Sequence, residues 1–173
     1  VKNSLIGLID RNRKIKNFTP LSQDYVDFRA DSILSSPERV IYSSDPRRQE
    51  KEGHVFKSDT DTEVIPHLLE KYMSKGLNLE SAMREVINII HGAYAIAAIS
   101  TSEPNKVVAT RKDSPLIVGV GEDKYFVASD SPAILKYAND IIFPEQGEIV
   151  TLTTEGVTIK DEHDKIVEKE VET

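Results

Sequence analysis

Apolar residues recur at three- and four-residue spacing in two adjacent stretches, and the spacing then changes to two. Val64, Ile65, Leu68, Leu69 and Tyr72 form the first stripe and predict a helix over residues 60–75. Thr60 and Thr62 are candidate N-caps, with Glu63 three residues after Thr60 as in a capping box. Asp61 and Glu63 place negative charge at the positive end of the helix dipole, Pro66 falls near the first turn, and Gly76 ends the helix. Leu79, Met83, Val86, Ile87 and Ile90 predict a second helix over residues 79–90, ended by Gly92. Strands are expected at residues 94–100, 106–111, 116–120, 125–129, 141–143, 148–153 and 157–160, with a short helix at 132–137. Ser102-Glu103-Pro104-Asn105, Lys112-Asp113-Ser114-Pro115 and Gly121-Glu122-Asp123 read as turns. Gly119-Val120-Gly121 lies between strands rather than ahead of a helix, so a hairpin turn is expected there and not a phosphate loop.

The first third is less regular. Residues 4–10 suit a buried strand, a helix fits 21–34, and residues 39–42 and 54–56 suit short strands. Two helices followed by an antiparallel series predict an α+β fold with helices packed on a sheet face. The expected core is Val64, Leu68, Leu69, Val86, Ile90, Ala95, Ala97, Val108, Ile117, Val127 and Ile149.

At 173 residues and 39% hydrophobic, the chain is expected to form one domain with a sizeable core. The net charge of −7 argues against a nucleic-acid-binding surface. Residues 1–57 hold 11 basic and 8 acidic groups, and residues 58–173 hold 11 and 21, which reads as a solvated acidic face. Acidic residues near the C-terminal edge strands are expected to discourage edge pairing. Cysteine is absent, which excludes disulfides, thiolate metal ligands and a cysteine nucleophile from these residues. The longest apolar run, residues 93–99, is far short of the ~20 residues that span a bilayer. A cytoplasmic protein without a membrane partner is expected, with homo-oligomers allowed. The four histidines are scattered and His67 has no partner at i+4, so neither a zinc site nor a cofactor is expected.

The stretch richest in chemistry is Gly53-His54-Val55-Phe56-Lys57-Ser58-Asp59-Thr60-Asp61-Thr62-Glu63-Val64-Ile65, a strand end running into a helix N-terminus. Free amide protons there suit an anion, and Asp61 at the junction suits a cation such as an amino-acid ammonium; simple capping of the helix by Asp61 and Glu63 is the alternative. With this stretch, Gly92-Ala93-Tyr94-Ala95, Arg111-Lys112-Asp113-Ser114-Pro115-Leu116 and Tyr125-Phe126-Val127-Ala128-Ser129-Asp130 form four blocks in order. Together they resemble the glutamine amidotransferase domain of glucosamine-6-phosphate synthases, over residues 49–173. The resemblance implies an N-terminal-nucleophile-hydrolase-like αββα sandwich, here truncated in its first third. It also implies release of ammonia from glutamine for a sugar-phosphate isomerase domain. By the same resemblance Asp61 binds the glutamine α-ammonium, with Ser58 and Thr60 as neighbours. The chain then divides into a divergent part (1–48), a family-like part (49–165) and a tail (166–173).

The first third departs from the family pattern. The family's N-terminal cysteine position falls on Asn3, with Ser4 the nearest nucleophilic atom. Phe28-Arg29-Ala30-Asp31-Ser32 only echoes the Tyr-Arg-Gly-Tyr-Asp-Ser segment, and Tyr42-Ser43-Ser44 stands where the family has its oxyanion His-Asn-Gly. The Thr-Arg-Trp-Ala-Thr-His loop has no counterpart, and the chain holds no tryptophan. No catalytic residue is therefore assigned. The expectation is an amidotransferase-type domain without glutaminase chemistry of its own, which binds glutamine or another amino acid or partners a sugar-isomerase subunit. An active subunit supplying ammonia for amino-sugar synthesis, with its catalytic parts on another chain or outside these residues, and a purely structural interaction domain are the alternatives.

Overall fold

A computed structural model describes residues 7–10 and 64–171. Within them lie β1 (Gly7–Asp10), α1 (Val64–Met73), α2 (Leu79–Ile87), β2 (Tyr94–Ser100), β3 (Glu103–Lys112), β4 (Ile117–Val120) and β5 (Lys124–Ala128). A 3-10 turn (Ser131–Ala133) precedes β6 (Asp140–Ile142), β7 (Ile149–Thr153) and β8 (Val157–Lys160). Both sheets are antiparallel: sheet A in the order β1-β5-β4-β6, sheet B in the order β2-β3-β7-β8.

The layers follow from which residues share a face. Val107, Ala109, Val150, Leu152 and Ile159 of sheet B meet Val118, Tyr125, Val127 and Ile142 of sheet A. The opposite face of sheet B, with Tyr94, Ile96, Val108 and Ile149, packs on Val64, Leu68, Leu79, Met83 and Val86 of the two helices. The outer face of sheet A, with Ile117, Phe126 and Ala128, is covered by Ile134 and Ala138. The expected core is buried at Val64, Leu68, Leu69, Val86, Ile90, Val108, Ile117, Val127 and Ile149. Ala95 and Ala97 are corrections: they face the space between the sheets but are only half-buried, because β2 is an edge strand of sheet B in the described fold.

Local chemistry sets the helix ends. Gly76, at φ +94°, closes α1, with its N–H on Met73 O at 2.9 Å and the Leu77 N–H on Tyr72 O at 3.4 Å. Asn78 caps α2 by accepting the Ser81 N–H at 2.8 Å. Helix α2 stops at Ile87, short of the expected residue 90; Ile89 and Ile90 both turn back on Val86 O. Its first turn is tied to sheet B by Glu80, which accepts from Thr151 Oγ1 at 2.8 Å and from Lys160 Nζ at 2.6 Å. Arg84 reaches Asp161 O at 2.8 Å and Asp164 Oδ1 at 3.2 Å.

Residues 103–105, read as part of a turn, lie in β3. The register jumps there, from Ile99 opposite Val107 to Ser100 opposite Glu103, so Pro104 occupies a bulge that asks no ladder bond of it. Glu103 also has a tertiary role: its carboxylate accepts the Leu79 N–H at 2.5 Å and pairs with Lys106. Burial works against its ionisation, yet Lys106 and the Leu79 N–H outweigh it and hold Glu103 below the ordinary carboxylate range.

Gly121 does begin a hairpin, its N–H on Lys124 O at 2.8 Å. Gly119 instead lies within β4, where a Cβ would stand 2.6 Å from Ile134 Cδ1 and 2.8 Å from Ala138 Cβ. Its missing side chain lets residues 131–138 close on sheet A. Gly119→Ala is expected to cost about 1–3 kcal/mol through overpacking, read as a lower urea midpoint. An unchanged midpoint would mean that the 131–138 segment yields freely.

Candidate functional site

The register brings one end of the sandwich into focus. Strand β1 begins there, with Gly7 opposite Val127, and β5 leaves there toward Ser129 and Asp130. Strand β4 starts opposite Ala128, and in sheet B the ends of β3 and the starts of β2 and β7 come together, with Tyr94 opposite Lys112 and Thr110 opposite Ile149. Three of the four sequence blocks therefore converge on one end: Gly92-Ala93-Tyr94-Ala95, the β3–β4 crossover from Arg111, and the β5 exit. The remaining candidates, Ser58, Thr60 and Asp61, lie outside the described residues, as do Asn3, Ser4 and Tyr42-Ser43-Ser44.

Arg111 organises this end. It shares the strand face of Val107 and Ala109, so alternation sends its side chain into the rim of the gap between the sheets. There Nε donates to Ser114 O at 2.7 Å, in the crossover from sheet B to sheet A, and a terminal nitrogen donates to Pro144 O at 3.1 Å, in the crossover back. Its own carbonyl accepts the Gly147 N–H at 2.9 Å. One guanidinium thus holds both the β3–β4 and the β6–β7 crossovers, a role that its place in the Arg-Lys-Asp-Ser-Pro-Leu block does not reveal. The arrangement suits the fork geometry of arginine, which can donate to two fixed acceptors at once.

Beside it, Asp113 has a left-handed backbone (φ 52°) and bridges to Tyr94. Burial, and then the Asp113 charge, push the Tyr94 hydroxyl from its ordinary 10.0 up to about 12. The second crossover holds Glu148, whose Oε2 accepts the Glu145 N–H at 2.6 Å. Among the described residues no group of His, Cys, Asp and Glu is gathered to hold a metal ion, and no helix is long and apolar enough to cross a membrane.

This layered fold with its converging blocks belongs to a known class: the chain is a member of the glutamine amidotransferase domain family, which matches residues 35–136. Within that class it is related to glucosamine-6-phosphate synthase. It is 53% identical over 122 residues to glutamine–fructose-6-phosphate aminotransferase (isomerizing) of Methanothermobacter thermautotrophicus, a match covering 70% of this chain and 20% of the relative. It is 51% identical over 121 residues to the enzyme of that name from Clostridium perfringens, covering 70% and 20%. The chain thus spans about a fifth of the length of these relatives. In fold it is similar to the glutamine phosphoribosylpyrophosphate amidotransferase of B. subtilis, with a TM-score of 0.59 and 18% identity over 94% of this chain and 29% of that one. A second likeness, to the allosteric regulatory enzyme of purine biosynthesis, has a TM-score of 0.57 and 24% identity over 66% of this chain and 24% of that one. The fold is therefore the N-terminal-nucleophile-hydrolase type that the four blocks imply.

Arg111→Ala is expected to lower stability by about 3 kcal/mol, since it leaves the Ser114 and Pro144 carbonyls without a charged donor. Arg111→Lys, a single point donor, should recover less than half. Urea denaturation measures both, and a loss under about 0.5 kcal/mol for the alanine variant would remove the clamp. Tyr94 gives a pH signature of opposite sense to a paired carboxylate. Its folded pKa lies above its unfolded value, so its stabilisation is complete below pH 10 and is lost as pH rises through about 12. Tyr94→Phe should flatten that alkaline loss; midpoints followed through this range that fall equally in both proteins would refute the assignment.

Proposed function

We propose that this domain grips an amino acid, glutamine or a close relative, through Asp61 and does not cleave the amide with its own residues. The observation that carries the reading is a split within one sequence. The Asp61 segment keeps the family pattern, whereas there is no cysteine anywhere in the chain and Tyr42-Ser43-Ser44 stands in the oxyanion position. A nucleophile is indispensable to covalent amide cleavage, and one lost oxyanion donor removes a further ~10²–10³ in rate. Binding of the α-ammonium needs neither. On this reading the domain serves as an amino-acid-sensing or partner module for a sugar-isomerase subunit.

A second reading has one observation in its favour. Identity of 53% to a relative named for aminotransfer, over 20% of that relative's length, suits an active subunit whose catalytic parts come from another chain or lie outside these residues.

Titration calorimetry with glutamine and glutamate tests the first reading. Binding in the millimolar range or tighter is expected, and Asp61→Ala should weaken it at least about tenfold by removing one charged hydrogen bond. No heat from the unaltered protein would favour a structural domain. Ammonia release from glutamine by the pure chain, above background, would overturn the non-cleaving assignment.

A further inference from the structure

The segment after β8 doubles back on the domain. A tight turn closes at Asp161, whose N–H reaches Lys165 O at 2.9 Å, and the Val167 N–H then bonds Ile159 O at 2.9 Å. The chain next delivers Lys169 into a socket of two carboxylates. Its Nζ lies 2.7 Å from Glu148 Oε1 and 3.0 Å from Glu145 Oε1, and the side chains of Lys169 and Glu148 are only 12% and 8% exposed. Burial opposes the lysine charge, and the two carboxylates outweigh it and hold Lys169 above its ordinary value.

Glu148 is the joint in this arrangement. One carboxylate oxygen faces Lys169 and the other accepts the Glu145 N–H at 2.6 Å, so the same group neutralises the tail and closes the turn. That turn is bonded to Arg111 on both sides, through Pro144 O and the Gly147 N–H. Arg111 in turn holds Ser114 O in the other crossover. A continuous set of polar bonds therefore runs from the tail to the end of the sandwich where the sequence blocks meet. A buried carboxylate without its counter-ion is strongly disfavoured and must take up a proton or swing toward water. Either response disturbs its bond to Glu145.

We propose that Lys169 is a positioning residue: seated between Glu145 and Glu148, it fixes the turn at 144–148 and, through Arg111, the crossover at 113–116, so that the seating of the tail sets the geometry of the site end. Placement of the tail and shape of the site end are then one equilibrium, and anything that draws the tail away loosens the site.

Amide hydrogen exchange on the whole chain, with the Arg111 Nε–H resonance as a second probe, tests this. Lys169→Met should speed exchange at Gly147 and Glu145 about tenfold and shift the Arg111 Nε–H signal, while the Ala82 amide of α2 and the Asn88 amide at its C-cap keep their protection. Lys169→Arg should behave as the unaltered protein. The decisive variant is the double change Lys169→Met with Glu148→Gln. A neutral amide needs no counter-ion and still accepts from Glu145, so slow exchange should return. Unchanged exchange at Gly147 in Lys169→Met would overturn the proposal, and so would a double variant as fast as the single one, which would assign the effect to lost packing of the lysine stem. A glutamine titration of Lys169→Met adds a functional arm that alone rests on the amino-acid-binding reading, and weaker binding is expected. If the unaltered protein binds no glutamine, that reading fails, and the exchange pattern still decides the coupling.

Discussion

Strand β3 has no solvent face over its central residues, and the architecture depends on this. Val107 and Ala109 fill the space between the sheets, while Val108 packs under the helices and Thr110 is buried on the same strand face. Such a strand needs small or branched apolar residues on both sides, and its register is strongly set because a slip of one residue exchanges the two faces. Here a slip would also carry Arg111 off the inter-sheet face and under the helices. The charged residue that ends the strand and the apolar residues that fill it therefore specify the same register.

The Arg-Lys-Asp-Ser-Pro-Leu block takes its meaning from that position. In a sequence it invites a reading as binding chemistry, because arginine and serine commonly touch ligands. In the fold both partners of Arg111 are backbone carbonyls, and both belong to connections between the sheets. Sheets that meet only through apolar contacts have no directional bond to fix their ends, whereas hydrogen bonds across the rim supply one. The block thus belongs first to the architecture, and it affects a neighbouring site by setting the shape of the rim.

Much of this was legible in the residues. Stripes at helical spacing located both helices, and the change to a period of two located the strands, because those periods reflect which side of each element is buried. Three features were hidden for identifiable reasons. Glu103-Pro104-Asn105 has turn chemistry, but a bulge excuses the proline and a distant helix N-terminus claims the glutamate. Gly119 resembles a hairpin glycine, yet its lack of a side chain serves a segment that packs from the outside. The pairing of Lys169 with Glu148 spans elements with no common period, so only the return of the tail along β8 brings them together. The candidate site divides in the same way. The charge of Asp61 at a helix start, together with the resemblance, points to that residue, which lies outside the described residues, whereas the role of Arg111 follows only from geometry.

Recognising an amino acid and cutting its amide make separable demands on a scaffold. An ammonium needs a fixed carboxylate and a dry wall, which a helix start on a rigid sheet can provide. Cleavage adds a nucleophile, a base and donors aimed at an oxyanion, and these stabilise only the transition state. On the proposed reading, the family's cleavage groups map to the first third of this sequence and the ammonium site to Asp61, just before α1. On that reading, substitutions confined to the first third would abolish turnover without changing the residues that build the two sheets and helices described over 64–171. Among the described residues, the rim held by Arg111 and Glu148 is built from β3, the two crossovers and the segment after β8. None of these bonds involves a nucleophile or an oxyanion donor, so a rim of this kind keeps its end rigid whether the domain cuts a ligand or only holds one.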